Sequence, residues 1–227
     1  MKTAIRNTFD AETGALPEAE IIHLAPAFAA PSNYKDPEKI AAYVAEAKRK
    51  WIADAALSPI TGRLLAIGVK PHGEAPFFLE APTPEDEPNL IAGFWELLSD
   101  ASKFAKLAGW GIETFDLPFI IKRSWKHRIP VPMTTVLQNG RFLGPRFLDL
   151  MKIFQAPNWK EGFTSLDTAA QFLGVGKKNG EGAKFAETYA KDRAAAIAYL
   201  ANDLTLTESV GDVLVPAFDG ESFAAIA

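Results

Sequence analysis

Apolar positions in this chain fall into short extended runs in the first half and helical stretches that lengthen toward the end. Gly62 to Val69 is a near-continuous apolar run of strand length, and Ala75 to Leu79 is a second. The turn Pro71-His72-Gly73 between them predicts a hairpin. Phe104 to Trp110 reads as a fourth strand, and Phe142 to Met151 contains another extended segment. Ahead of them, Thr3 to Phe9 predicts a first strand ending in an acidic pair. Its Arg6, Asn7 and Thr8 are more polar than a central buried strand usually tolerates.

Helical signals separate these runs. A short apolar segment, Ala19 to Ala27, and a turn at Pro31-Ser32-Asn33 precede Asp36-Pro37-Glu38. There Asp36 caps a helix and Pro37 sits in its first turn. Ile40, Tyr43, Val44, Ala47, Trp51 and Ala55 keep helical spacing, so this helix is expected to run to about Leu57. Thr83-Pro84-Glu85-Asp86 opens another, continuing through Phe94, Leu97 and Leu98. An amphipathic helix after Asp116 reaches about Arg128 and is stopped by Pro130 and Pro132. Ser165-Leu166-Asp167 caps the next, and Gly174 to Gly182 forms a flexible basic loop. An alanine-rich helical region follows from Ala183, with Arg193 to Val213 as one long helix. Early strands followed by strands alternating with helices predict an α/β fold, a mixed sheet flanked by helices. We expect a single domain over residues 1–227, with 15–58 as a helical insertion after the first strand.

Composition narrows the chemistry. There are no cysteines among the 227 residues, which excludes disulfides, zinc–thiolate sites and a cysteine nucleophile. His23, His72 and His127 are far apart, and none has a metal-pair spacing, so a histidine-rich zinc site is not expected. The formal net charge of −4 argues against binding nucleic acid through bulk positive charge. Neither a signal peptide nor a membrane span is legible, and a cytoplasmic, soluble setting is expected.

Candidate chemistry begins at Asp10-Ala11-Glu12. One acid, a spacer and a second acid put both carboxylates on one side of an extended strand. About one Asp-x-Glu is expected by chance with these acids, and Asp36-Pro37-Glu38 is such a case. Asp116 lies before Leu-Pro at the mouth of a helix, where an N-cap is the simpler reading. Tyr199 and Asp203 stand four apart on a helix and so share a face. Only ~0.2 such Tyr-x-x-x-Asp pairs are expected by chance.

Taken in order, Phe9-Asp10-Ala11-Glu12-Thr13, Phe115-Asp116-Leu117-Pro118-Phe119 and Tyr199 through Asp203 resemble the three exonuclease motifs of the DEDD superfamily, tyrosine subclass. More closely, with Gly62 to Val69 and Ser165-Leu166-Asp167, the chain resembles stand-alone proteins related to the exonuclease domain of family B DNA polymerases. The resemblance implies a ribonuclease H-like fold and a metal-dependent 3′–5′ exonuclease that hydrolyses phosphodiester bonds. Its cofactor would be two Mg²⁺ or Mn²⁺ ions, for which an all-oxygen ligand set is suited. It implies that Asp10 bridges both ions, Glu12 and Asp203 complete one site, Asp116 holds the second, and Tyr199 orients the attacking water. Two departures stand out: Gly111 occupies a position that usually carries Asn, and Ala11 one that usually carries a larger aliphatic.

Substrate contacts are the softer part of the pattern. Lys122, Arg123, Lys126 and Arg128 follow Asp116 on one helix, and Lys177 and Lys178 lie in the glycine-bounded loop. All are candidates for phosphates, or simply solvated charges. Trp110 is a candidate to stack on a terminal base, or a core tryptophan at a strand end. Asp149 resembles a common family position without an assignable catalytic role, and His127 reads as surface. The leading expectation is an enzyme whose partner is nucleic acid, with single-stranded DNA ends favoured. An RNA exonuclease of the ribonuclease D type, a catalytically silent nucleic-acid-binding module and a metal-binding structural protein remain open alternatives.

Overall fold

The computed structural model describes residues 7–99, 104, 106–138, 142–156, 158, 162–180 and 182–218. Its strands are β1 (Asn7–Ala15), β2 (Gly62–Pro71), β3 (Phe77–Glu80), β4 (Leu107–Gly109), β5 (Leu137–Gln138), β6 (Phe142–Leu143) and β7 (Phe147–Asp149). Five of them form one sheet in the order β3-β2-β1-β4-β7, while β5 and β6 pair separately. The β1–β2 and β2–β3 pairs are antiparallel, and β1–β4 and β4–β7 are parallel, so the sheet is mixed. The expected hairpin is present, with Gly73 at φ 71° in its turn.

The first strand does not end at the acidic pair. It runs on to Ala15, because β1 stays paired with β2 from Asn7↔Pro71 to Ala15↔Gly62. Residues 3–6 of the expected strand lie outside the described residues. Its unusual polarity has a structural cause: Asn7 Nδ2 donates to the Lys106 carbonyl at 3.1 Å, and Thr8 Oγ1 to the Leu204 carbonyl at 3.3 Å. Buried polar side chains are tolerated when they are hydrogen-bonded, and here they tie the strand to its neighbours. Alternation does the rest. Phe9 and Ala11 enter the large core on one face of the sheet, which leaves Thr8, Asp10 and Glu12 facing the other.

Helices cover both faces. Between β1 and β2 lie α1 (Glu18–Ile21), a 3₁₀ turn at Ile22–Leu24, α2 (Pro37–Ala53) and a 3₁₀ turn at Asp54–Leu57. Asp36 caps α2 as expected, accepting from the Glu38 amide at 2.9 Å. No residue of α2 is buried, whereas Ala55 just beyond it is. α3 (Glu87–Leu97) and α4 (Asp116–Lys126) pack Leu90, Ile91, Phe94, Leu117 and Ile120 on the Phe9 face. A capping box between Thr83 and Asp86 starts the turn that leads into α3. After the short α5 (Met133–Val136), α6 (Leu150–Gln155) begins directly at the end of β7.

α7 (Leu166–Leu173), α8 (Phe185–Lys191) and α9 (Arg193–Phe218) cover the acidic face. Ser165 Oγ caps α7 by accepting from Thr168 N at 3.0 Å, and Gly174 ends it at φ 70°. The long α9 lays Leu200 and Leu204 against the sheet and Leu206 and Val210 against α7. It approaches most closely over Gly68 of β2, where an added Cβ would lie 2.6 Å from Leu204 Cδ1. α4 stops short of the two prolines: its last residue is Lys126, and Arg128 turns the chain at φ 58°. No helix among the described residues is long and apolar enough to cross a membrane.

Candidate active site

Three elements bring the acidic side chains together. β1 presents Asp10 and Glu12 from the centre of the sheet, and α9 lays Asp203 across them. Ligand atoms of Asp10, Glu12 and Asp203 lie within 4.8 Å of one another. Asp116 arrives from the start of α4, and its placement corrects the capping reading. Its carboxylate does not cap the helix; Oδ1 reaches across to accept the Ala11 amide at 3.0 Å. That bond holds the fourth carboxylate against the strand that carries the first two.

The loop from β4 to α4 is held by Asp149 at the end of β7. Its Oδ1 accepts from Gly111 N and Met151 N, both at 3.0 Å, and its Oδ2 from Glu113 N at 2.9 Å. Asp149 therefore acts by positioning the 111–116 loop and capping α6. Gly111 stands at φ 73°, a backbone region open to glycine and, less readily, to asparagine. Gly111 thus meets a backbone demand that asparagine also tolerates, and leaves no side chain at this edge of the cleft.

Asp10, Glu12, Trp110, Asp116, Tyr199 and Asp203 line one cleft of about 520 Å³. Asp116 and Asp203 are buried, while Asp10 and Glu12 are half-buried. Such crowding disfavours ionisation. Burial, then the Asp203 charge, raises the Asp10 carboxyl to about 6. Glu12 is pushed well above its ordinary range by burial and then by Asp10, and Asp116 likewise. The donor set fits a hard divalent cation: four carboxylates, no nitrogen or sulfur, and a buried Asp203 Oδ1 with no hydrogen-bond partner.

Lys178 supplies positive charge of the protein's own. Its ammonium pairs with Asp203 Oδ2 and donates to the Tyr199 hydroxyl at 3.1 Å. Burial disfavours that charge, but Asp203 and Tyr199 outweigh the penalty and hold the ammonium above its ordinary pKa. The Lys178 amide donates to Asp167 Oδ1 at 2.7 Å, so the Ser165-Leu166-Asp167 stretch both starts α7 and anchors the basic loop. Tyr199 is raised above its usual pKa by burial, although the Lys178 bond opposes the shift. It is therefore a protonated phenol at neutral pH.

The other candidates scatter. Trp110 is half-buried, with Nε1 donating to the Thr164 carbonyl at 2.8 Å and its ring 5.8 Å from Phe154, so it walls the cleft. Lys122, Lys126 and Lys177 are exposed. Arg123 is not on the solvated face with them. It is 2% exposed and holds both Glu87 oxygens, with Nε to Oε1 at 2.8 Å and Nη2 to Oε2 at 2.5 Å. Nor is His127 a bare surface residue, since its Nε2 lies 2.8 Å from Glu87 Oε2. Sequence reasoning missed Leu57 and Phe163, which line the cleft at 64% and 78% exposure. Leu57 ends the 3₁₀ turn after α2 and Phe163 lies in an irregular segment, so no periodicity marks either as a cleft residue.

A mixed sheet flanked by helices, with acids gathered over its central strand, defines the ribonuclease H-like class. A solved structure shares this fold: the family B DNA polymerase from the hyperthermophilic archaeon Pyrobaculum calidifontis aligns with 92% of this chain at TM-score 0.59 and 19% identity. The aligned part is 24% of the polymerase, so this chain spans about a quarter of that protein's length. The model of a family described as predicted 3′–5′ exonucleases related to the exonuclease domain of PolB matches residues 78–207, and the chain belongs to that family. No curated protein sequence matches the chain. The matched stretch contains Asp116, Tyr199 and Asp203; Asp10 and Glu12 precede it and join them through the fold.

Proposed function

We propose that the protein is a metal-dependent 3′–5′ exonuclease that removes nucleotides from single-stranded DNA ends. The observation that carries this reading is the convergence of Asp10, Glu12 and Asp203 within 4.8 Å, with Asp116 tied to the same strand. The direction of attack is that of the family to which the chain belongs. Asp10, Glu12, Asp116 and Asp203 would hold Mg²⁺ or Mn²⁺. When bound, two such ions lower the pKa of an attacking water and relieve charge on the leaving oxygen.

The remaining work falls to the protein. The carboxylates of the cleft outnumber its one ammonium, so a phosphodiester seats against them more readily once cations offset their charge. Tyr199, kept protonated, donates its phenolic hydrogen to the water oxygen and aims it at phosphorus. Attack on the terminal phosphodiester breaks the P–O3′ bond. A nucleoside 5′-monophosphate leaves, and the shortened strand keeps a 3′-hydroxyl. Lys178, paired with Asp203, would give up that carboxylate to a cation and offer its ammonium to the departing phosphate.

The test is incubation of the purified protein with 5′-labelled single-stranded DNA and RNA, in Mn²⁺ or in EDTA. A ladder shortening from the 3′ end in Mn²⁺ alone is expected, and Asp10→Asn is expected to remove it. Full activity in a pure, folded Asp10→Asn protein would sink the assignment. Cleavage of RNA with DNA left intact would transfer the reading to a ribonuclease D-like activity. Binding of either strand without cleavage would support a catalytically silent module.

A further inference from the structure

A second groove, of about 590 Å³, lies between the outer face of α4 and the segment that follows β1. One wall carries Lys122, Trp125 and Lys126; the other carries His23, Leu24 and Ile60. Trp125 is 58% exposed, Ile60 66% and Leu24 46%, a high exposure for large apolar side chains gathered in one place. Lys122 and Lys126 are exposed, one turn apart on the helix that carries the tryptophan, and neither forms an ion pair with any described residue. The acids of the lining are Glu20, which is exposed, and Glu87, which is buried against Arg123 and His127. In a chain of net charge −4, an exposed aromatic ring and two exposed lysines on one helix face of the groove are a local reversal of sign.

Three segments of the chain lead from the carboxylate cleft to the groove, two sites with no described lining residue in common. β1 leads from Glu12 in the cleft to Leu16 in the groove, four residues or about 13 Å of strand. α4 leads from Asp116 in the cleft to Lys122 and Lys126, about 9 Å and 15 Å along its axis. A third link is the loop after α2, where Leu57 lines the cleft while Pro59 and Ile60 line the groove. At about 3.4 Å per stacked nucleotide, the separation corresponds to roughly four nucleotides.

We propose that this groove is a second nucleic-acid subsite, which holds the 5′ part of the single strand whose 3′ end lies at the carboxylates. The inference rests on the nuclease reading and extends it. Trp125 stacks on a base, an interaction indifferent to base identity because every base has a π face. Lys122 and Lys126 neutralise the phosphates on either side of that base. Ile60 and Leu24 close the groove over the opposite edge. The two sites together grip a strand long enough to register its end, and leave the terminal nucleotide alone in the cleft.

The test is fluorescence anisotropy of 5′-labelled dT3 and dT12 on the full chain in EDTA, titrated over salt concentration. Wild type is expected to bind dT12 more tightly than dT3. Replacing both lysines, Lys122→Gln with Lys126→Gln, is expected to reduce the slope of log K against log salt for dT12 by about 1.4, or about 0.7 for each phosphate no longer neutralised. Trp125→Ala is expected to weaken dT12 about tenfold. All three side chains are exposed, and unchanged circular dichroism melting confirms that the variants fold. Affinity and salt slope for dT12 that ignore all three substitutions overturn the subsite and leave the groove to a protein partner. Equal affinity of wild type for dT3 and dT12 also overturns it. Either result beside Mn²⁺-dependent shortening overturns the subsite alone; no binding and no shortening overturn the nuclease reading with it.

Discussion

Asp10 shows how this site sets function against stability. Its carboxyl is raised from 3.8 to about 6 by burial and by Asp203, which means that keeping it ionised at neutral pH destabilises the metal-free fold. At ~1.4 kcal/mol per pKa unit, reduced for a group that is only half-buried, the penalty is about 2 kcal/mol. Asp10→Asn removes it along with a metal ligand. The variant is expected to melt higher than wild type in EDTA at pH 8 while losing Mn²⁺-dependent cleavage; a lower melting temperature would mean that the cluster is not under charge strain. Gly111 makes a different point. An added Cβ has room there, with Met151 Cε 3.7 Å away, so only the φ of 73° restricts the residue. Gly111→Asn is expected to cost less than about 1 kcal/mol, and Gly111→Val about 2 kcal/mol or more. Equal melting of the two variants would show that the loop does not depend on this backbone geometry.

The close approach of α9 to β2 decides whether the acids meet. Tyr199 and Asp203 lie on the row beside Leu200 and Leu204, which rest over Gly68, the register partner of Asp10. Nothing larger than hydrogen fits there unless the Leu204 and Leu200 side chains shift, since an added Cβ also comes within 3.1 Å of Leu200 Cγ. Gly68→Val is expected to lower stability by about 1–3 kcal/mol and to weaken Mn²⁺ binding with all four carboxylates intact. Calorimetric titration with Mn²⁺ measures this, and unaltered affinity would show that α9 accommodates the change elsewhere. The same packing explains what was legible in the sequence. Helix starts marked by Asp36, Thr83 and Ser165 were readable because caps are local. The facing of Asp10 and Glu12 was readable because strand alternation is local too. The full length of β1 was not, because it depends on pairing with a strand some fifty residues away. Arg123 and Lys126 look alike in the sequence, and the placement of Glu87 on α3 alone draws one of them inside. Asp116 looked like a cap for the same reason, its true partner being an amide 105 positions earlier.

At the scale of the whole molecule, the unbalanced charge of the cleft predicts a link between metal, proton and stability. Asp10, Glu12 and Asp116 all have raised pKa values, so the folded protein without metal holds protons that the unfolded chain has released. For acids shifted in this direction the penalty is absent below their unfolded pKa near 4 and fully present above the folded pKa, about 6 for Asp10. Glu87 moves oppositely. Burial would raise it, but the Arg123 and Leu64 bonds lower it, so its contribution is intact above its ordinary 4.5 and is lost only in stronger acid. Between pH 5 and 7.5 the carboxylate cluster is therefore expected to make the metal-free protein less stable as pH rises. A divalent ion reverses the trend by replacing those protons. At a concentration 100 times its dissociation constant, it adds about 2.7 kcal/mol, or ~5–10 °C in Tm for a chain of this size. The Mn²⁺-induced rise should be largest at pH 7.5 and shrink toward pH 5 as protons compete for the same oxygens. Asp10→Asn is the variant that isolates the contribution of this cluster. It should flatten the metal-free profile and reduce the Mn²⁺ effect together. A Tm rise of equal size in wild type and Asp10→Asn would place the ion away from β1, and with it the chemistry.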